Sequence, residues 1–300
     1  MERFFELMGD MGRLWGVYKD AYFMGMVKTL GLALIATIIG CIIGLICGIL
    51  NTIPINPNDN SVKKFFLRLV RVIVRVYVEV FRGTPMVLQA VFIYYGIPYF
   101  TYNAVKFMGN SGVWLASIIV VSINTGAYMA ESVRGGIISI DPGQFEGAKA
   151  IGMNHFQTML HVILPQALRN IMPQIGNNFI INIKDTSVMF IIGFTEFFAT
   201  HRNIVGLNFM YFPSAAIEMI GYLTVTLTAS LILRAVEKLM DGNSSYELVQ
   251  VDPLTMTAGT YTYTGSKKSE HEIKSTMEEE KRGRIRQALK NRLGSSRGER

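Results

Sequence analysis

EGAKAIGMNHFQTMLHVILPQAL, residues 146–168, is a polar stretch set between two runs apolar enough to lie in lipid. It carries a Glu, a Lys, two Gly, two His and a Pro, too polar a set to cross a bilayer. Its local chemistry is regular. Just upstream, Asp141 is followed by Pro142 and, at the third position on, by Gln144: an N-cap, a proline at the first helical position and a capping-box partner. These predict a short helix over 142–151. Gly152 suits the left-handed residue that stops it. Asn154 opens a second helix with Gln157 at its box position, and Pro165 ends or kinks that helix. The reading is helix, glycine turn, helix: a capped elbow projecting on the cytoplasmic side. Such an elbow is either a docking element for a partner or a surface helix resting on headgroups.

Outward from the elbow the chain reads as a membrane protein. Of its 300 residues 50% are hydrophobic and 17% charged, and mean hydropathy is +0.31. The uncharged run TLGLALIATIIGCIIGLICGIL, residues 29–50, is longer than most globular core helices. An all-α polytopic fold with about five transmembrane helices is expected, at roughly 22–50, 66–99 (broken), 112–133, 170–192 and 213–236. Residues 1–20 carry Glu2, Glu6, Asp10 and Asp20 and lack the basic start and small-residue cleavage pattern of a signal peptide. They are expected to form an amphipathic segment lying on the bilayer. The plan is then an N-terminal segment 1–20, a transmembrane domain 21–240 containing the loop 134–170, and a charged tail 241–300 too poor in apolar residues to fold alone.

Orientation follows from the basic residues of the short connections. Lys63, Lys64, Arg68, Arg71 and Arg75 follow the first span, and Arg134, Lys149 and Arg169 follow the third; the opposite connections hold only Lys106 and Arg202. This predicts a multi-pass cell (inner) membrane protein with its N-terminus outside and its C-terminus cytoplasmic, although Arg3, Arg13 and Lys19 weigh the other way. Tyr94, Tyr95, Tyr99, Phe100, Tyr102, Trp114, Phe209, Tyr211 and Phe212 cluster about the outer interface. Gly40, Gly44 and Gly48, four apart, offer either a helix-packing seam, against a second subunit for instance, or ordinary glycine tolerance. Arg68, Arg71 and Arg75 share one helical face and are expected partly along anionic headgroups. RGTP, residues 82–85, then interrupts the helix, with Thr84 able to cap a restart at Pro85.

Several function classes are excluded or weakened. Cys41 and Cys47 lie on different faces of one helix and cannot easily pair. The four histidines show no metal-ligand spacing, and no HExxH, CxxC or GxSxG occurs, so no metal site is expected. GSKKS at 265–269 has the wrong spacing for a phosphate loop. No cofactor is expected on this chain, and no nucleic acid as a partner.

The elbow resembles the EAA loop of ABC importer permeases, whose pattern is EAA, three residues, G, nine residues, I, one residue, LP. Here it reads Glu146-Gly147-Ala148, Gly152, Val162 and Leu164-Pro165, with Gly147 and Val162 as departures. FRGTPMVLQAVFIYYGIP (81–98), GAYMAESVRGGI (126–137), GQFEGAKAIGM (143–153), LPQALRNIMPQIGNNFI (164–180) and KDTSV (184–188) match, in order, the polar amino acid permeases of the histidine/glutamine type. The resemblance spans residues 25–235. It implies a type I ABC importer permease fold whose loop is the coupling helix for a separate ATPase, and carries Gln144, Glu146, Gly147, Ala148, Gly152, Leu164 and Pro165 into that role. It also implies ATP and Mg on the partner ATPase, a second permease copy or paralogue, and an extracellular or periplasmic amino-acid-binding protein.

Polar residues inside spans are costly in lipid and face a bundle interior or a path. Span three offers Asn124, Thr125, Tyr128 and Glu131; span four offers Asn178, Asn182, Lys184 and Asp185. Asn178, Asn182 and Asp185 share a face, whereas Lys184 lies about 200° from Asn182. Asp185 is therefore expected to meet a substrate ammonium, and Lys184 to pair with another helix or subunit. Purely structural pairing of both is the alternative. The function expected is the permease subunit of an ATP-driven importer of polar amino acids. A self-sufficient carrier or channel, with the elbow as a regulatory dock, is the competing reading; a membrane enzyme lacks a nucleophile–base pair or a metal set.

Overall fold

No proline interrupts the first 52 residues, and they form one helix, α1 (Glu2–Thr52). The computed structural model describes residues 1–55, 57 and 60–241. The amphipathic segment expected over 1–20 is helical and continuous with the first span, as the start of α1. Its Leu14, with Tyr22 just beyond, is buried on Phe197, Ile204 and Ile217, so the inward face of α1 simply continues. The chain then forms α2 (Ser61–Gly83), α3 (Met86–Val91), a π turn (Phe92–Gly96), α4 (Ile97–Phe100), α5 (Gly109–Ile138), α6 (Pro142–Ala150) and α7 (His155–Thr158). A second π turn (Met159–Ile163) leads into α8 (Leu164–Asp185), a 3-10 turn (Thr186–Ile192), α9 (Phe197–Asn208) and α10 (Tyr211–Asp241). No strand occurs among the described residues.

Residues in α1, α5 and α10 make these helices long and apolar enough to cross a membrane unaided, and Met86–Phe100 is a shorter apolar run. The spans expected over 66–99 and 170–192 fall on α2 to α4 and on α8 with the turn after it. The charges of α2, the shortness of the apolar run Met86–Phe100 and the polar residues of α8 are why length and apolarity alone do not mark these two. The tail expected over 241–300 lies outside the described residues from 242 onward.

The glycine spacing in α1 is a seam within the chain, not one reserved for a second subunit. A Cβ on Gly40 would sit 2.6 Å from the Thr125 Cβ, one on Gly48 2.5 Å from the Val133 Cγ1, and one on Gly44 would collide with Met129. Residues 125, 129 and 133 are also four apart, so two straight rows meet along α1 and α5. Backbone approach of this kind replaces the hydrophobic drive that is missing in lipid with dense dispersion contact.

Midway along α1 a buried carboxylate does the joining. Glu196 is fully buried and caps α9, accepting from the Phe198 and Ala199 amides at 2.8 Å each. It also accepts from Tyr222 Oη at 3.1 Å on α10 and Thr29 Oγ1 at 3.2 Å on α1. Burial raises its pKa, and these hydrogen bonds to the charged form pull it back down. Beside it, the Ser214 hydroxyl bridges Tyr22 Oη at 2.7 Å and His201 Nδ1 at 2.8 Å. Burial lowers the pKa of His201, favouring the neutral ring.

Candidate functional site

Pro85 pushes the residue before it into extended geometry, and Thr84 adopts φ −121°, ψ 145°. The interruption separates α2 from α3. Thr84 does not cap the restart as the sequence predicts: its hydroxyl donates back to the Val80 carbonyl at 2.8 Å. The freed backbone is served by Gln89, which sequence reasoning passed over. Its Nε2 reaches the carbonyls of Phe81 and Thr84 and the Thr84 hydroxyl, all at 2.9 Å. Its Oε1 accepts from Asn124 Nδ2 at 3.1 Å, and Asn124 also reaches the Phe81 carbonyl at 3.2 Å. A lone Gln inside MVLQAV was the available signal.

This break forms one wall of a cavity of about 650 Å³. The opposite walls are α5 and α8, which contribute Asn124, Thr125, Tyr128, Asn178, Asn182 and Asp185, six of the eight path residues expected from sequence. They differ in what they do there. Asn182 is nearly buried and bonds Thr37 of α1 at 2.8 Å and Thr125 of α5 at 3.0 Å, so it locks three helices together. Asn178 is nearly buried too, donating to the Gln174 carbonyl at 3.0 Å and to Met129 Sδ at 3.1 Å. Asp185 closes α8, lines the cavity and has no hydrogen-bond partner among the described residues. The Arg82 guanidinium stands at the rim, 5.4 Å from the Tyr128 ring centroid and ion-paired with Glu131.

Glu131 and Lys184 are not in this cavity. Glu131 faces a second, charged one with Arg71, Arg75, Glu79 and Arg134. Lys184 is exposed on the other flank of α8, in a groove shared with Ser187, Phe198, Glu218 and Tyr222. The Lys–Asp pair is thus divided between two surfaces, as one residue of helical rotation demands.

The elbow stands as capped. The Asp141 carboxylate accepts from the Gly143 amide at 2.6 Å, and Pro142 opens α6. Gln144 does not close a box; its Oε1 accepts from Gln166 Nε2 at 3.2 Å, tying α6 to α8. Gly152 has φ +84° and reverses the chain. Asn154 and Gln157 form a reciprocal capping box at 2.9 and 3.0 Å. Pro165 does not end the second arm: it sits in the first turn of α8, directly after the π turn over Met159–Ile163. Phe145, Met159, Ile163 and Leu164 pack on Ile137 and Ile140 at the end of α5, and Ala148 is buried. Glu146 lines a cavity under the arm with Asn51, Arg134, Lys149 and His155. A Cβ on Gly147 would meet nothing within 4 Å, so packing does not require glycine there. Ile151 and Phe156, at the tip, are 78% and 71% exposed.

A helical membrane bundle with a polar cavity and a capped helical arm packed on its walls has the form of a membrane component of a transporter. The chain belongs to the family of binding-protein-dependent transport system inner membrane components, whose family model matches residues 61–242. It is 34% identical over 216 residues to the glutamine transport system permease protein GlnP of Escherichia coli (strain K12), covering 72% of this chain and 91% of that protein. The GlnP of Shigella flexneri matches equally, at 34% over the same 72% and 91%. Among solved structures, the crystal structure of an amino acid ABC transporter with histidines superposes with a TM-score of 0.62 at 32% identity, over 73% of this chain and 94% of that one. An inward-facing form of the MetNI methionine ABC transporter superposes at 0.54 with 18% identity, over 73% and 98%, a likeness of fold. The fold is that of type I ABC importer permeases.

Proposed function

We propose that this chain is the permease subunit of an ABC importer that carries polar amino acids into the cell, with the 650 Å³ cavity as its path. The observation that carries the reading is that cavity: a carboxylate without a hydrogen-bond partner among the described residues, Asp185, shares it with amide and hydroxyl groups and with Arg82. A zwitterion needs an acceptor for its ammonium and a donor for its carboxylate. Asp185 supplies the first; Arg82, at the rim and still paired with Glu131, has further N–H donors for the second. Asn182 and Thr125 hold the walls, and Asn178, Asn124 and Tyr128 give a neutral polar lining. The relatives named for glutamine support a polar, uncharged side chain as cargo.

Energy comes from a separate ATPase, which holds ATP and Mg. The arm receives it through Gln144, Glu146, Gly147, Ala148, Gly152, Leu164 and Pro165, and the exposed Ile151 and Phe156 offer the apolar contact. A second permease copy or paralogue completes the path, and a binding protein delivers cargo from outside. The N-terminus faces out and the C-terminus in, as the basic connections require. The arm biases transport only if its contacts with the ATPase differ between inward and outward states.

Uptake in proteoliposomes, adding ATPase and binding protein one at a time, tests this. Uptake of glutamine or a like amino acid is expected only with both present. Uptake by the chain alone would favour the carrier reading and refute the coupled one.

A further inference from the structure

The flank of α2 beside its buried face carries Arg68, Arg71, Arg75, Glu79 and Arg82. At 100° per residue they form one stripe along the helix. Phe65, Leu69, Ile73, Val76 and Val80 form a separate, exposed apolar face, suited to lipid. The charged stripe therefore turns away from lipid, toward α5. There it borders a cavity of about 340 Å³, walled by Asn51 near the end of α1, by Arg71, Arg75 and Glu79, and by Glu131 and Arg134 near the end of α5.

The charges in this cavity do not balance. Glu131 is engaged by Arg82, which leaves the three guanidiniums of Arg71, Arg75 and Arg134 facing Glu79. Arg71 donates to the Ile53 carbonyl at the end of α1, yet its Nε is buried with no hydrogen-bond partner among the described residues. A buried guanidinium nitrogen without a partner is costly, and a surplus of positive charge at a helix-lined opening calls for an anion. The helix ends place the opening near the interface on the side of the basic connections. Arg134 is four residues from the end of α5, about 6 Å of rise.

We propose that this cavity binds a phosphate group at the cytoplasmic surface, supplied by the headgroup of an anionic phospholipid whose chains lie on the apolar face of α2. Arginine forks suit phosphate oxygens, and basic pockets between membrane helices at this depth attract anionic headgroups. A phosphate held here joins α1, α2 and α5 just above the arm, since Asn51 and Arg134 also line the cavity beneath it. The site does not rest on the identity of the cargo.

Melting of the purified full-length chain in detergent tests it, with short-chain phosphatidylglycerol, short-chain phosphatidylcholine and inorganic phosphate as probes. Phosphatidylglycerol is expected to raise the melting temperature by about 3 °C or more, and phosphatidylcholine not to. Arg75→Gln, an exposed position, should remove most of that shift; Arg75→Lys should keep part of it; Arg169→Gln, outside the cavity, should keep all of it. Stabilisation by phosphatidylglycerol without inorganic phosphate assigns the group to a lipid. Equal stabilisation by inorganic phosphate, lost in Arg75→Gln, keeps the phosphate site but overturns the lipid as its source. An equal shift with phosphatidylcholine, a full shift in both Arg75 variants, or equal loss in Arg169→Gln overturns the proposal.

Discussion

The two sides of α5 are built on opposite principles. On one side Thr125, Met129 and Val133 press into Gly40, Gly44 and Gly48 of α1, with no room for a methyl group. On the other, Asn124 and Tyr128 open on a 650 Å³ cavity and Glu131 on a charged one. Residues one position apart thus serve a tight seam and a polar cavity. The difference teaches how one helix can frame an open cavity without loosening: the tight half is set by small residues that let the two backbones meet, and the open half holds polar groups such as Asn124 that bond across helices. Thr125 sits at the junction, touching Gly40 on the seam and Asn182 toward the cavity.

The largest effect is expected from breaking the seam. Gly44→Leu puts a branched side chain where even a Cβ collides with Met129. Overpacking costs about 1–3 kcal/mol where neighbours can yield, and two apposed backbones yield poorly. Folded yield by size-exclusion profile should collapse. Gly16→Leu, in the same helix but with nothing within 4 Å, should leave it near wild type. Equal profiles for the two variants would show that the seam is not tight.

The open side should respond in function rather than folding. Asp185→Asn removes a carboxylate that no other described residue uses as a hydrogen-bond acceptor, so the complex should assemble. Uptake should drop by about tenfold or more, the equivalent of one charged hydrogen bond to cargo. Lys184→Met, on the opposite flank, should keep the transport chemistry and instead reduce complex yield or melting temperature, if that flank meets a second subunit. Normal uptake with Asp185→Asn would remove Asp185 from the path. Normal assembly with Lys184→Met would remove Lys184 from an interface.

A third variant separates path from drive. Glu146→Ala, on the exposed side of α6, should insert normally and keep the cavity intact. Substrate-stimulated ATP hydrolysis in the reconstituted complex should fall about threefold or more, within the usual range of coupling free energies. Wild-type stimulation would place the contact elsewhere on the arm, with Phe156 next to be tested.

What could be read in the sequence was local or periodic. The elbow follows from caps that act within three or four residues, and Gly152 turns at φ +84° where a helix stop was expected. The separation of Asp185 from Lys184 needed only helical rotation. Long-range partners could not be read. The glycine row announced a tight face but not that Thr125, Met129 and Val133 would fill it. Gln89 stood as one tolerated polar residue until the fold brought Asn124 and the Phe81 carbonyl to it. Glu196 and His201 were passed over for the same reason, their partners lying on α1 and α10. The acidic residues of the first turns suggested a surface helix. The continuation of α1 depends on Leu14 and Tyr22 finding Phe197, a contact across more than 170 positions.

The smallest expected effect sharpens the comparison between tight and open glycines. Gly147 lies inside α6, unlike Gly152 it has no positive φ, and a Cβ there would meet nothing. Gly147→Ala therefore restores the second residue of the EAA pattern without a steric cost. It also removes backbone freedom from the unfolded chain, worth about 0.4–1 kcal/mol. Gly147 lies on an exposed face of α6, so the gain should appear in local opening of that short helix rather than in global melting. Amide hydrogen exchange across α6 is expected to slow by about two- to fivefold, with α5 and α1 unchanged. Gly152→Ala should do the reverse, because a Cβ at φ +84° strains the turn. If both variants speed exchange, the glycine at 147 is needed for a conformation of the arm other than the helix seen here.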